Sequence, residues 1–415
     1  MKLSEIINYY SRPEIQKAII EIAKNREVVG SSMDGTFMKR PDTLLYPKDL
    51  EERVKKGVVA FHCSVERWVQ PMQLSTELSN KELDDMRKGF DFIIDIDSKA
   101  KLEHAAVAAA TVYNFLKDMN IKPTIKFSGS RGFHLAISKE AFPEKVDFKK
   151  ISKRYPEIPQ VLAEYIREMI REQLMDELIK LEGGVSSLVK TVPSVSELSP
   201  YEFLDIEKDW GNRHLFRMPY SLHPKFWLVS VPIRFEDLKN FNRLMAKPEK
   251  VKTDVKFLVN RKGEATELLL KALEWKAKQP KKEEEVKREF KGKKYTKPVP
   301  EEYFPPCIKI ILKGIADGKK RSLFTLITFL KNMNWTPEDI EKRIVEWNKE
   351  HYKPLSNRFI KTQLKWHLRQ NRELMPANCK SAMFYTSIGV CQPDRYCGKN
   401  PVNYVFKKMK VTKKH

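Results

Sequence analysis

The run Phe90-Asp91-Phe92-Ile93-Ile94-Asp95-Ile96-Asp97 sets two carboxylates one residue apart in an otherwise apolar stretch. It reads as a β-strand over 90–96, and strand side chains alternate faces. Phe92, Ile94 and Ile96 then point one way, and Asp95 and Asp97 the other. Their Cα atoms stand about 7 Å apart, two strand steps of about 3.3 Å each. Like charges at that spacing repel unless a cation neutralises them. Mg²⁺ or Mn²⁺ suits the pair, because such ions take oxygen ligands and complete their shell with substrate phosphates. Two ions held this way stabilise the attacking and leaving oxygens of nucleotidyl transfer. The bland alternative is an edge strand with two solvated acids on its open face.

Two further runs carry groups suited to phosphate. Ser128-Gly129-Ser130-Arg131-Gly132-Phe133-His134 is a small-residue turn between two strand-like segments. Its glycines would let backbone N–H groups approach a phosphate, and Arg131 adds a charged fork. Asp205 is followed by Arg213-His214-Leu215-Phe216-Arg217-Met218-Pro219-Tyr220-Ser221-Leu222-His223, which gathers a carboxylate, two arginines and two histidines. A plain glycine-rich hairpin and a surface loop with a basic bias are the alternatives. Cys63, His62 and His104 read as core or ordinary side chains rather than ligands.

Of five cysteines, four lie in the last third, at 307, 379, 391 and 397. The spacing Cys379-x11-Cys391-x5-Cys397 lacks the close pairs of a zinc finger. Four thiolates gathered from scattered loops suit a [4Fe-4S] cluster. Buried free thiols, a four-cysteine zinc site and disulfides are the alternatives.

Along the chain, helical periodicity covers 13–25, 105–119 and 159–182, and strands are expected at 58–61, 124–127, 133–137, 215–218 and 227–233. The mixture predicts an α+β (mixed α/β) domain over 1–275. Residues 276–300 are charged, poor in large apolar side chains and closed by Pro298 and Pro300. They read as a charged flexible linker. From 301 to 415 the pattern is mainly helical, with helices expected over 320–332, 337–350 and 357–371.

The totals narrow the partners. Seventy-eight Lys and Arg against 55 Asp and Glu give a net charge of +23. Such a surplus favours a polyanion, with nucleic acid first and an anionic membrane surface as the rival. No apolar run is long enough to span a bilayer, and the first residues lack a secretory apolar region. A cytoplasmic protein is expected.

The Asp95/Asp97 strand, the 128–134 turn, and Asp205 followed eighteen residues on by His223 resemble the small catalytic subunit of archaeal and eukaryotic DNA primases. The resemblance implies an RRM-like core in the first domain, with Asp205 as the third carboxylate for Mg²⁺ or Mn²⁺. It implies that Ser128, Arg131 and His134 bind the incoming nucleotide, and that Arg217 and His223 hold its phosphates. Arg40, in Phe37-Met38-Lys39-Arg40, is placed as a further nucleotide contact. One departure is plain: the family's cysteine-rich zinc site after the Asp strand has no counterpart between 98 and 119.

Phe304-Pro305-Pro306-Cys307, the stretch 321–330 and the stretch 378–404 resemble the C-terminal iron–sulfur domain of the primase large subunit. That resemblance implies a [4Fe-4S] cluster on Cys307, Cys379, Cys391 and Cys397. It also implies contact with the initiating nucleotide and primer 5′ end, with Arg321, Lys320 and Lys319 at the triphosphate. The separate N-terminal helical domain of the large subunit has no counterpart.

The expectation is a nucleotidyltransferase, a DNA primase that makes short primers de novo on single-stranded DNA. Its partners would be template, RNA or DNA primer and nucleoside triphosphates, with replication proteins as candidates. It would act as a monomer near the nucleoid, away from membranes. A primer-extending repair or translesion polymerase of the same fold is the alternative, and a non-catalytic nucleic-acid-binding protein the third reading.

Overall fold

The computed structural model describes residues 1–75, 77–193, 195, 197–280, 295–369 and 374–412. The chain separates into two compact units, Met1–Lys282 and Glu283–His415. The segment expected as a linker straddles that division. Its first residues complete the helix Thr266–Lys278, residues 281–294 lie outside the described ones, and Val299 enters the core of the second unit.

The first unit holds β1 (Val28–Ser31), β2 (Ala60–Ser64), β3 (Glu66–Trp68), β4 (Arg87–Phe90), β5 (Phe92–Ser98), β6 (Thr124–Phe127), β7 (Gly132–Ile137), β8 (Lys145–Val146), β9 (Lys149–Lys150), β10 (Leu204–Ile206), β11 (Leu215–Arg217) and β12 (Pro232–Ile233). One sheet runs β10-β5-β7-β6-β12, and a second runs β1-β2-β11; all pairings are antiparallel. β5, the helix Leu102–Asp118, β6, β7, the helix Glu157–Glu182 and β10 form a βαββαβ order, with the short pair β8–β9 inserted after β7 and the helix Val185–Val189 before β10.

The sheet is amphipathic by alternation. Phe92, Ile94, Ile96, Phe133, Leu135, Ile125 and Phe127 are all buried. Each such side chain contributes about 1.5–3 kcal/mol by leaving water. The helix Leu102–Asp118 packs on β5 and β7. It is rich in alanine, a strong helix former whose small side chain permits close approach. Ala105, Ala108, Ala109, Val112 and Leu116, at helical spacing, form its buried stripe. The helix Glu157–Glu182 packs on it and stops at Gly183, whose φ of 73° makes a left-handed cap.

Two expected strands come out differently. The strand expected over 90–96 is interrupted at Asp91. That side chain is fully buried and accepts hydrogen bonds from Arg26, Arg67 and the Lys139 amide, so β4 ends and β5 starts anew. The strand expected over 227–233 shrinks to β12 plus a bridge between Leu222 and Val229, because Trp227 turns into the left-handed region at φ 57°. Among the described residues, no helix is long and apolar enough to cross a membrane.

The second unit is helical: Pro306–Leu312, Lys319–Asn332, Pro337–Lys349, Asn357–Arg369 and Pro401–Thr412. Phe304, Phe329, Trp347 and Tyr385 lie in its core. Thr336 caps the third helix by accepting from the Asp339 amide at 3.1 Å, with Pro337 at the first helical position. The end of the helix expected over 357–371 lies outside the described residues.

Candidate active site

Directly paired residues in an antiparallel sheet share a face. Asp97 pairs with Asp205 on one side and Gly132 on the other, and Asp95 pairs with His134. His134 pairs in turn with Lys126. One face of the sheet therefore carries Asp95, Asp97, Asp205, His134 and Lys126, opposite the apolar face. Gly132 is needed by close approach. A Cβ there would sit 1.8 Å from the Ile96 carbonyl oxygen and 2.6 Å from Asp97 Oδ1.

A fourth carboxylate joins them. Asp205-Ile206-Glu207 repeats the alternation of Asp95-Ile96-Asp97. The Glu207 amide donates to the Asp95 carbonyl at 2.9 Å, and its side chain lies 3.1 Å from His214 Nε2. The sequence expectation omitted Glu207, although the same period-two signal was there to find it. Lys126 was also missed. A lysine in Thr-Ile-Lys-Phe looks solvated, yet it is wholly buried and donates to Ser230 Oγ at 2.6 Å. Burial lowers it to about 7, against the pull of Asp95.

The carboxylates are held against their ordinary chemistry. Asp95 is raised well above the usual range by burial, then by the charges of Asp97, Glu207 and Asp205. Asp97 is raised by burial too, with Arg131 opposing and Asp205 and Glu207 adding. Their side chains keep 40% and 45% of their exposure, so solvent tempers both effects. Asp95 Oδ1 is a buried atom with no hydrogen-bond partner among the described residues. His134 Nε2 stands 3.3 Å from it. Burial, helped by Lys126 and Arg217, keeps that imidazole neutral.

Oxygen-only donors that repel one another, with one orphaned buried oxygen, fit a hard divalent cation. Among the described residues, no three His, Cys, Asp or Glu side chains are drawn tightly enough to close around an ion. Arg131 lies 4.0 Å from Asp97 and Arg167 3.7 Å from Asp205, so each outer carboxylate leans on a guanidinium.

A basic rim surrounds this face. Arg217 pairs across the strands with His62 and donates to the Leu222 carbonyl at 3.1 Å. Burial lowers it only to about 10, so it stays cationic. His223 Nδ1 accepts from the Lys225 and Phe226 amides at 3.1 and 3.4 Å. The ring is therefore the Nε2–H tautomer, a donor. Burial, then Arg217 and Lys225, hold it near 4. Ser128 Oγ accepts from the Ser130 and Gly132 amides, both at 3.3 Å, and closes the turn. Gly129, at φ +90°, lets that turn pack on His223, where a Cβ would be 3.3 Å from the His223 Cβ.

Residues 94–235 match the family model of the DNA primase small subunit. The match covers the four carboxylates, Lys126, the 128–134 turn, Arg217 and His223, and about a third of the chain. The likeness is to the small subunit of a primase, over that stretch of the chain. An uncharacterized protein of Methanocaldococcus jannaschii is 25% identical over 175 residues, 41% of this chain and 37% of that protein. The matched part is thus little more than a third of that relative's length. The polymerase domain of Mycobacterium tuberculosis ligase D, solved in complex with DNA, aligns at 16% identity and a TM-score of 0.38 over 66% of this chain and 89% of that one.

Arg40 is not brought to the carboxylate face. It donates to both Glu27 oxygens at 2.8 and 2.9 Å and to the Arg213 carbonyl at 2.9 Å. Arg213 binds the same buried Glu27. His104 is buried, 2.9 Å from Glu182. Cys63 is a buried core thiol, pushed up to about 12 by burial.

In the second unit, Cys307 opens a helix, while Cys379, Cys391 and Cys397 lie on irregular chain. All are free thiols. Cys307 is pushed up to about 12 by burial, then by Cys379, Cys397 and Cys391. Cys379 is raised by burial and by Cys397 and Cys391. The four thiols thus sit near enough to feel one another's charge, although they are not closed around a centre. An all-thiol donor set of this kind fits a soft metal or a cluster. Arg321 donates to the Met383 carbonyl at 2.8 Å, Lys319 to the Lys353 carbonyl at 2.7 Å, and Lys320 lies 5.2 Å from the Phe359 ring centre. These three residues line a cavity of about 350 Å³.

Proposed function

We propose that the chain is a primase that starts short primers de novo on single-stranded DNA, with both the catalytic and the initiation modules on one polypeptide. The observation that carries this reading is the strand register that sets Asp95, Asp97 and Asp205 on one face. An RRM-like core is the finer fold reading, and the βαββαβ order with β5 between β10 and β7 supports it.

Asp95, Asp97 and Asp205 would hold Mg²⁺ or Mn²⁺. When bound, such ions supply charge for the attacking 3′-hydroxyl and the departing pyrophosphate. The chain's own groups do the rest. Arg217 stays cationic in a part-buried place, where its attraction to phosphate is screened least. The Nε2–H of His223 donates to a phosphate oxygen. Arg131, 60% exposed, is free to leave Asp97 for the triphosphate. Neutral His134 hydrogen-bonds without adding charge beside Asp95, and Ser128 offers its hydroxyl hydrogen. Lys126, on the same face beside His134, offsets part of the carboxylate charge.

Cys307, Cys379, Cys391 and Cys397 would hold a [4Fe-4S] cluster, which would tie their loops together. Lys319, Lys320 and Arg321 would take the 5′-triphosphate of the initiating nucleotide. Holding two free nucleotides together is the entropic obstacle to starting a chain, and a second binding module lowers it.

The test is synthesis on single-stranded DNA without primer, comparing ribonucleotides and deoxyribonucleotides. Dinucleotide and short-primer products support the reading. Extension of a supplied primer with no initiation would make the chain a primer-extending polymerase instead.

A further inference from the structure

The hairpin β8–β9 belongs to none of these parts. Lys145 pairs with Lys150 and Val146 with Lys149. Between them, Asp147 and Phe148 have φ of +49° and +62°. Two central residues at positive φ make a turn of the I′ kind, whose second residue is ordinarily glycine or asparagine. A bulky aromatic is disfavoured there. Phe148 gains no packing in exchange, for it is 102% exposed. Val146 is buried at the hairpin, and Arg154 stands 3.8 Å from Asp147 of the turn.

The surroundings are cationic. Lys145, Lys149 and Lys150 are exposed and make no ion pair with any described residue. Below the hairpin lies a cavity of about 340 Å³ lined by Lys88, Lys139, Lys145 and Lys150, with Glu144 as its one acid. Its Arg87 is already committed to Glu66 and Asp84. A bare ring among unpaired lysines is the composition of a single-strand platform: cations follow phosphates, and the ring stacks on a base. An anionic membrane surface would call for a broader apolar face than one ring.

We propose that the β8–β9 hairpin binds single-stranded nucleic acid, with Phe148 stacking on a base and Lys145, Lys149 and Lys150 taking the flanking phosphates. Its distance from the carboxylates follows from the sheet. β7 runs from Gly132, beside Asp97, to Ile137, beside Phe92, and the chain then leads to the hairpin. Five strand steps are roughly 17 Å. The hairpin thus follows the end of β7 that lies away from the carboxylates. It extends the grip on a template beyond the site of chemistry.

The experiment is equilibrium binding of the full chain to a dye-labelled oligothymidine, without nucleotides or divalent metal, across a salt series. It reads binding alone, so failure of the catalytic reading would not disturb it. Phe148→Ala weakens binding by about 5- to 150-fold, the worth of one stacked base. Phe148→Trp retains it. Phe148→Gly melts no lower than the wild type, because the turn prefers glycine. Replacing Lys145, Lys149 and Lys150 by Gln flattens the slope of log Kd against log salt by about 0.7 for each phosphate no longer neutralised. Wild-type affinity in Phe148→Ala overturns the proposal. So does an equal loss of binding to phosphatidylserine vesicles, which would make the tip a membrane anchor. A sedimentation shift between wild type and Phe148→Ala in the absence of oligonucleotide also overturns it, since the ring would then join two copies.

Discussion

The two units present their donor groups by different means. The first hangs carboxylates on paired strands, so a register of single residues decides which side chains share a face. The second collects thiols from a helix start and from irregular chain, so their meeting depends on how the helices pack. Both sets are unfavourable as they stand. The carboxylates repel and are partly desolvated, and burial disfavours the thiolates. In each, the arrangement makes chemical sense as a receptacle for positive charge. Among the described residues neither set is closed around a centre; strand pairing sets the first, and helix packing the second.

The comparison breaks most sharply at the carboxylates. Asp95→Asn with Asp97→Asn lowers nucleotide incorporation by about 10³-fold or more, roughly 4 kcal/mol of transition-state stabilisation. The same substitutions relieve repulsion, so the metal-free variant melts above the wild type. The sign with pH follows from the raised Asp95. The fold favours its protonated form, so wild-type stability is greatest below the unfolded carboxylate pKa and declines as pH rises towards the folded one. The difference in melting temperature therefore widens from acid to neutral pH and narrows on adding Mg²⁺. A variant that melts lower at neutral pH would remove repulsion from the account.

The thiol site is expected to respond as a whole. Cys379→Ser drops iron from about four atoms per chain to near zero and removes the broad visible absorbance. It also lowers the melting temperature of the second unit, because the cluster would be what ties those loops. Primer extension should survive while initiation fails. Stoichiometric zinc in the wild type, with no iron, would replace the cluster with a structural zinc site.

What was legible in the sequence follows the same division. The period of two placed Asp95 and Asp97 together and set Ile94 and Ile96 behind them. The helix over 159–182 was visible because its apolar spacing persists for seven turns, ending at Gly183. The interruption at Asp91 was not visible, because its cause, Arg26 and Arg67, lies far away in sequence. Lys126 was hidden for a related reason: only the packing of β12 and Ser230 tells that its strand face is buried. The cysteine spacing ruled against a zinc finger, yet it could not say how near the thiols come, since irregular chain carries no period.

Glu207 sharpens the comparison within the first unit. If the register decides membership, a fourth carboxylate on the same face belongs to the ion site. Glu207→Gln keeps the backbone bond to Asp95 and the contact with His214. It should weaken Mn²⁺ binding by about 10-fold, roughly 1.4 kcal/mol, in calorimetric titration without nucleotide. Unchanged affinity would make Glu207 a support for His214, which stacks on Trp210 at 5.6 Å, and nothing more.

Arg40 is the smallest effect and the strictest control on the resemblance. Motif position alone places it on the nucleotide, whereas the structure commits its guanidinium to Glu27, whose side chain is wholly buried. Glu27 stays below the ordinary carboxylate range because Arg213 and Arg40 outweigh its burial. Removing one of two partners leaves Arg213 to hold the charge. Arg40→Ala therefore costs about 1.5–3 kcal/mol of stability, the range for a hydrogen bond to a charged group, seen as a lower urea midpoint. The KM for nucleotide should stay within about 2-fold, less than about 0.4 kcal/mol. A tenfold rise in KM with unchanged stability would return Arg40 to the nucleotide and mean that the Glu27 pairing opens when substrate binds.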